Sequence, residues 1–204
     1  MDERSLAREL ALLTLAQISD RDPQPTACDG IAHLLDRALT GLKDHLRETL
    51  DRAADELDQA QRLLAAEQAD LARSQTHLSD GVARAEQVLN LLSGCLDLPR
   101  LLLLSDQEAV RRQALERVQL VVELRSQVDR RLDQVMEGWR LRRLPRIDRD
   151  ILRLASVDLD PLRAPPAVAC NEAVELAHRY SDEQGRRMIN GVLRRLMDAA
   201  AMMS

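Results

Sequence analysis

"EQGRRMINGVLRRL", residues Glu183 to Leu196, has the periodicity of a helix, yet it holds two glycines among four arginines. A glycine inside a helix costs about 1 kcal/mol relative to alanine. On a helical wheel Gly185, Met188, Ile189, Val192 and Leu196 share one face, the expected core face. Gly185 on that face suits close helix packing. Arg187, Asn190 and Arg194 fall on the opposite side, bordered by Gly191. Beside such a stripe a glycine either lets a ligand approach the backbone or is tolerated on a solvated face. RNA would suit the stripe, because arginine meets phosphate and asparagine meets phosphate or a base edge.

The segments around this helix are also helical. A capping box, Ser181 with Gln184, opens it. Before it, a helix runs from Pro165-Pro166 to Tyr180, and another spans about Ile147 to Leu159 and stops at Asp160-Pro161. A second capping box, Ser105 with Glu108, opens a helix expected to reach Glu137, with Gly138 just past its end. At the front, a first helix covers about Arg4 to Ile18 and breaks at "SDRDPQPTACDG". From Ile31 to about Leu78, leucines recur every seven residues at Leu50, Leu57, Leu64, Leu71 and Leu78. Leu39, Leu46, Ala53 and Ala60 hold the companion positions, so the pattern predicts a heptad seam. Asp80-Gly81 reads as a turn, with a return helix from Val82 to Leu92 ended by Gly94 and Pro99. A buried leucine row needs a covering surface. The helix after Ser105 could supply it, or a second copy of the chain, which would make a homodimer. No segment alternates with a period of two, and the whole chain reads as all-α.

Composition agrees with helices and excludes much chemistry. Hydrophobic residues make up 45% of the 204, but the aromatics are Trp139 and Tyr180 alone. A core built on Leu, Val, Ile and Ala favours helix packing over a β-sandwich. The first 100 residues carry 11 basic and 18 acidic side chains, and residues 101–204 carry 18 and 16. A polyanion should therefore prefer the C-terminal half. Cys28, Cys95 and Cys170 are odd in number and widely spaced, which suits reduced thiols in the cytoplasm. "LPRLLLLS" is too short to cross a bilayer, so no membrane partner is expected. His33, His45, His77 and His178 lack a second ligand at metal spacing, and no phosphate loop or nucleophile motif occurs. The reading is a binding module, with no catalytic residue, metal or cofactor. Two further basic features stand out: Arg4 and Arg8 on one face of the first helix, and "WRLRRLPRIDRD" with Trp139, Arg140, Arg142, Arg143, Arg146 and Arg149.

Three ordered blocks add a resemblance. "RIDRDILRLASVDL", "PPAVACNEAVELAHRY" and "MINGVLRRL" resemble the C-terminal pattern of the NusB family of bacterial transcription antitermination proteins. "LARELALLTLAQ" resembles its first helix more weakly. The resemblance implies a single all-helical domain over residues 1–204, built as two packed bundles. Residues 105–204 would form the core and C-terminal bundle, with a helical hairpin inserted at about 31–98. It implies binding of boxA RNA together with the ribosomal protein NusE, in support of elongation complexes on ribosomal RNA operons and of rRNA maturation. Carried over, the RNA-binding residues are Arg4, Arg8, Gln184, Arg187, Met188 and Asn190, to which the exposed stripe adds Gly191 and Arg194. Trp139, Arg142, Arg143, Arg146 and Arg149 are expected to face the protein partner. Met188 stands where the family pattern has Phe, which removes a ring able to stack on a base. The competing expectation is a helical protein-interaction module with little or no RNA binding.

Overall fold

A computed structural model describes residues 3–19, 28–65, 71–96, 98–136 and 138–201. Among these there is no strand. The helices are α1 (Glu3–Leu15), α2 (Cys28–Ala65), α3 (Leu71–Cys95), α4 (Leu98–Leu104), α5 (Glu108–Glu123), α6 (Arg125–Val135), α7 (Arg146–Leu159), α8 (Pro166–Tyr180) and α9 (Glu183–Ala201). A 3-10 turn, Leu141–Arg143, lies between α6 and α7. The chain divides into two compact units, one running up to Ala38 and resuming at Leu104, the other spanning Leu39–Leu103.

In the first unit α7 is the central helix. It touches α1, α5, α6, α8 and α9, and every residue from Asp150 to Asp158 is buried. A helix wrapped on all sides needs apolar residues around its whole circumference. Ile151, Leu152, Leu154, Ala155 and Val157 meet that demand. Its charged residues are buried as well, so each must find a partner. Asp158 accepts from Arg8 Nε at 2.5 Å and from Arg117 Nε at 3.0 Å, joining α7 to α1 and α5. Burial pushes the Arg117 guanidinium down from its ordinary value, and Asp158 pulls it back. Arg153 forks onto Asp129 of α6 at 2.8 and 2.9 Å and donates to Asp150 at 2.8 Å. The rest of this core is leucine, valine and alanine: Leu6, Leu10 and Leu12 of α1, and Val110, Ala114 and Val118 of α5.

Several helix ends differ from the sequence pattern. The helix after Ser105 starts at Glu108 behind Gln107, with no side-chain cap, and Ser105 is buried. It breaks at Leu124 into α5 and α6. The expected end at Glu137 lies outside the described residues. At α9 the cap is Asp182, whose Oδ1 accepts the Gly185 N–H at 2.7 Å, while Ser181 closes α8.

The second unit corrects the heptad seam. The α3 helix passes unbroken through Asp80-Gly81 and Gly94, and the α2–α3 connection at 66–70 lies outside the described residues. Pro99 sits in the first turn of α4, where its missing N–H costs nothing. Leu50 and Leu57 are 44% and 43% exposed, whereas Ala53 and Ala60 are 4% and 2% exposed. The buried face of α2 is therefore the small-residue row. Gly81, Val88 and Cys95 are buried on α3 at the same seven-residue spacing, and Arg84 reaches Glu56 of α2 at 2.5 Å. Small side chains let helix backbones approach closely, so the row with the least hydrophobicity takes the interior. The side chains of Leu64 and Leu71 lie outside the described residues. Ala60→Leu should overfill this buried position and cost about 1–3 kcal/mol. Leu57→Ala, at a half-exposed position, should cost less than about 1 kcal/mol. Thermal melts of the two variants check the order, and an equal loss would reinstate the leucine row as the seam.

Candidate functional site

The residues expected to form the site divide sharply once placed. Arg8 is 4% exposed and committed to Asp158, so the first-helix pair does not present two free cations; this corrects its assignment to an RNA surface. Helical spacing put Arg4 and Arg8 on one face, but that face turns into the core at Arg8. Arg4 is exposed. Arg146 is likewise spoken for, donating to the carbonyls of Leu15, at 2.7 Å, and Ile18 and thereby closing the end of α1. Arg149 donates to the carbonyls of Arg142 and Leu144 at 3.3 and 3.1 Å and holds the 3-10 turn. Both side chains thus brace the protein's own backbone while staying partly exposed.

The remaining candidates converge. Gln184, Arg187, Met188 and Gly191 of α9 line one pocket of about 410 Å³ together with Trp139 and Arg143 of the α6–α7 connection. Two groups some forty residues apart in sequence thus share a single concavity. Leu144, Pro145, Asp148, Asp182, Gly185 and Arg195 complete its walls. Asn190 and Arg194 are exposed on α9 but do not line it. Arg142 and Arg149 line a separate groove with Arg125, Asp129, Asp133, Leu141 and Arg153.

The first turn of α9 is set by what lies beneath it. A Cβ on Gly185 would sit 2.1 Å from Ser181 Oγ and 2.8 Å from Asp148 Oδ2. Only glycine lets α9 come down onto the start of α7, which settles its place in a helix. Gly191 is the opposite case, since a Cβ there would meet nothing within 4 Å. It leaves bare backbone at the pocket edge. Asp148 is 2% exposed. Burial, reinforced by nearby Asp182, raises its carboxyl above the ordinary aspartate value, and a hydrogen bond from Ser181 opposes the rise.

Charge on the pocket rim is positive. The Arg187 side chain is 80% exposed, and its pair with Glu183 at 3.0 Å is a surface contact of little strength. Neighbouring Arg186 and then Arg187 hold the Glu183 carboxyl below its usual range. Arg195 donates to the Val135 carbonyl at 2.7 Å, which ties α9 to the end of α6 and so to the chain leading into Trp139. Sequence spacing could not show this grouping. Asp148 and Arg195 were missed because their roles depend on contacts across the fold. Among the described residues no group of three His, Cys, Asp or Glu is placed to hold a metal ion. No described helix is long and apolar enough to cross a membrane.

Comparison with known proteins agrees with the C-terminal blocks. The NusB family model matches residues 90–198. The transcription antitermination protein NusB of Synechococcus elongatus is 44% identical, over 96% of this chain and 93% of its own length. Those of Gloeothece citriformis and Synechocystis sp. are 41% and 42% identical over 96% of this chain, covering 93% and 90% of their own. These alignments take in the α2–α3 segment, most of which lies outside the family model's match. No solved structure matches the chain. With the family model covering more than half of the sequence and such relatives matching nearly all of it, the chain belongs to the NusB family of transcription antitermination proteins.

Proposed function

We propose that this protein binds boxA RNA of ribosomal RNA operons in the cytoplasm together with the ribosomal protein NusE, and that the pair supports elongation complexes and rRNA maturation. The α2–α3 segment is then an insertion into one NusB-type domain. The observation that carries the reading is the pocket where Gln184, Arg187, Met188 and Gly191 meet Trp139 and Arg143. Its rim offers arginines to phosphates, an amide to a base edge and bare backbone at Gly191. Such a combination suits single-stranded RNA, whose unstacked bases can enter a pocket. The chain's net charge of −5 argues for modest affinity alone and a gain when a partner contributes to the RNA site.

Arg187→Glu should weaken boxA binding by about tenfold or more and lower the slope of log affinity against log salt by about one. Helicity should not change, because the side chain is exposed. Anisotropy of a labelled boxA oligonucleotide, with and without NusE, measures both effects. Wild-type affinity in the variant would remove Arg187 from the interface. A chain that captures NusE but no RNA would instead be a helical protein-interaction module.

A further inference from the structure

We propose that Trp139 is a base-stacking platform in this pocket, holding one nucleotide of a single-stranded RNA against its indole face. The proposal rests on the RNA reading above and adds the residue that reads the base plane. The chain has no Phe, one Tyr and one Trp. Tyr180 is committed, its hydroxyl donating to buried Glu9 at 2.6 Å. Met188 brings no ring to the pocket. Trp139 is therefore the aromatic ring among the residues lining this pocket, and it is 52% exposed.

Its exposure is built into the fold. Gly138 has φ +72°, a left-handed conformation that glycine adopts without strain, and it turns the chain sharply after α6. Buried Met136 anchors the chain before the turn, and buried Leu141 anchors it after. The Leu141 N–H donates to Asp133 Oδ1 at 2.8 Å, and the Arg143 N–H to the Arg140 carbonyl at 2.9 Å. A backbone fixed on both sides holds the indole out of the core, so little ordering cost is left for binding. Arg195 links the same segment to α9 through the Val135 carbonyl.

The neighbours select the ligand. Arg143 and Arg187 supply cations for a phosphate on either side of the base, and Gln184 supplies an amide. Gly191 leaves room at the edge. A volume of about 410 Å³ falls in the range of small-ligand sites. An exposed ring flanked by arginines is the usual equipment for single-stranded nucleic acid. An acidic peptide would use the cations but gain little from a flat ring.

Because Trp139 is the sole tryptophan, it also reports on its own contact. The test uses the full chain with a boxA oligonucleotide, alone and with NusE. Trp139→Phe serves as the blank for any emission from NusE. The expected result is quenching of the Trp139 emission that saturates with RNA. Trp139→Ala should lose about tenfold or more in affinity by anisotropy of labelled RNA, with native helicity, and Trp139→Phe should keep most of it. RNA binding that leaves the emission and the Trp139→Ala affinity unchanged would overturn the platform and leave the RNA reading standing. If Trp139→Ala loses NusE but not RNA, the indole belongs to the protein partner and the proposal is wrong. Failure of the wild-type chain to bind boxA RNA in either condition would overturn both.

Discussion

Asp158→Ala should cost about 3–5 kcal/mol of folding stability, the largest loss expected from any single truncation of a charged group in this protein. Asp158 is 2% exposed and is the shared acceptor of Arg8 and Arg117, themselves 4% and 7% exposed. Arg8 lies 3.9 Å from Glu172, too far for a hydrogen bond, and its Nη1 has no hydrogen-bond partner. Without Asp158, two guanidiniums would remain in the interior with little compensation. Domains of this size have about 5–15 kcal/mol in total, so the variant should approach the limit of folding. Urea denaturation gives the result as a lower midpoint at constant slope. A loss below about 1 kcal/mol would mean that water reaches the two arginines and that α1, α5 and α7 are not locked together by this charge.

Gly185→Ala should destabilise the protein by about 1–3 kcal/mol, against the sign of helix propensity. Propensity alone awards alanine about 1 kcal/mol. Sterics oppose it, because the new methyl would meet Ser181 Oγ at 2.1 Å and Asp148 Oδ2 at 2.8 Å. The serine hydroxyl can rotate away, but only by giving up its hydrogen bond to Asp148, whose own buried carboxyl would have to shift as well. The first turn of α9 would lift, carrying Gln184 and Arg187 with it, and boxA affinity should fall as well. Gly191→Ala is the matched control. With open space around it, the substitution should be neutral or stabilising by up to about 1 kcal/mol. If the RNA approaches the backbone there, affinity should still fall. Melting temperatures and RNA titrations of the two variants separate packing from recognition.

Much of the C-terminal architecture was legible because its signals are local. Pro165-Pro166 opens α8 and Asp160-Pro161 follows α7, and each acts within a turn or two of the residue itself. The sequence also separated the two faces of α9, with Ile189, Val192 and Leu196 buried and Arg187, Asn190 and Arg194 exposed. It missed buried Leu193, and Met188, which the wheel put on the core face and the resemblance among the RNA contacts, is half-buried and lines the pocket. Arg8 was misread because its partner is 150 residues away, and an arginine at the surface end of a helical wheel looks the same whether or not an aspartate waits for it. The hairpin was misread for a different reason. Leucines at seven-residue spacing carry more hydrophobicity than alanines, but close helix approach is decided by side-chain size, and Ala53 and Ala60 are the interior row. The pocket was visible only as two separate clusters. Its assembly depends on how the Gly138 turn and the Asp148–Gly185 contact bring two segments to one place.

The central claim is that RNA lies in the pocket between Trp139 and the start of α9. The most direct measurement is photocrosslinking of boxA RNA carrying 4-thiouridine to the protein–NusE complex, with the crosslinked peptides identified by mass spectrometry. The predicted crosslinks fall within residues 138–145 and 184–194, and they disappear when unlabelled boxA competes. Crosslinks confined to α2 and α3, or to the acidic groove of Glu9, Glu172 and Glu175, would contradict the account.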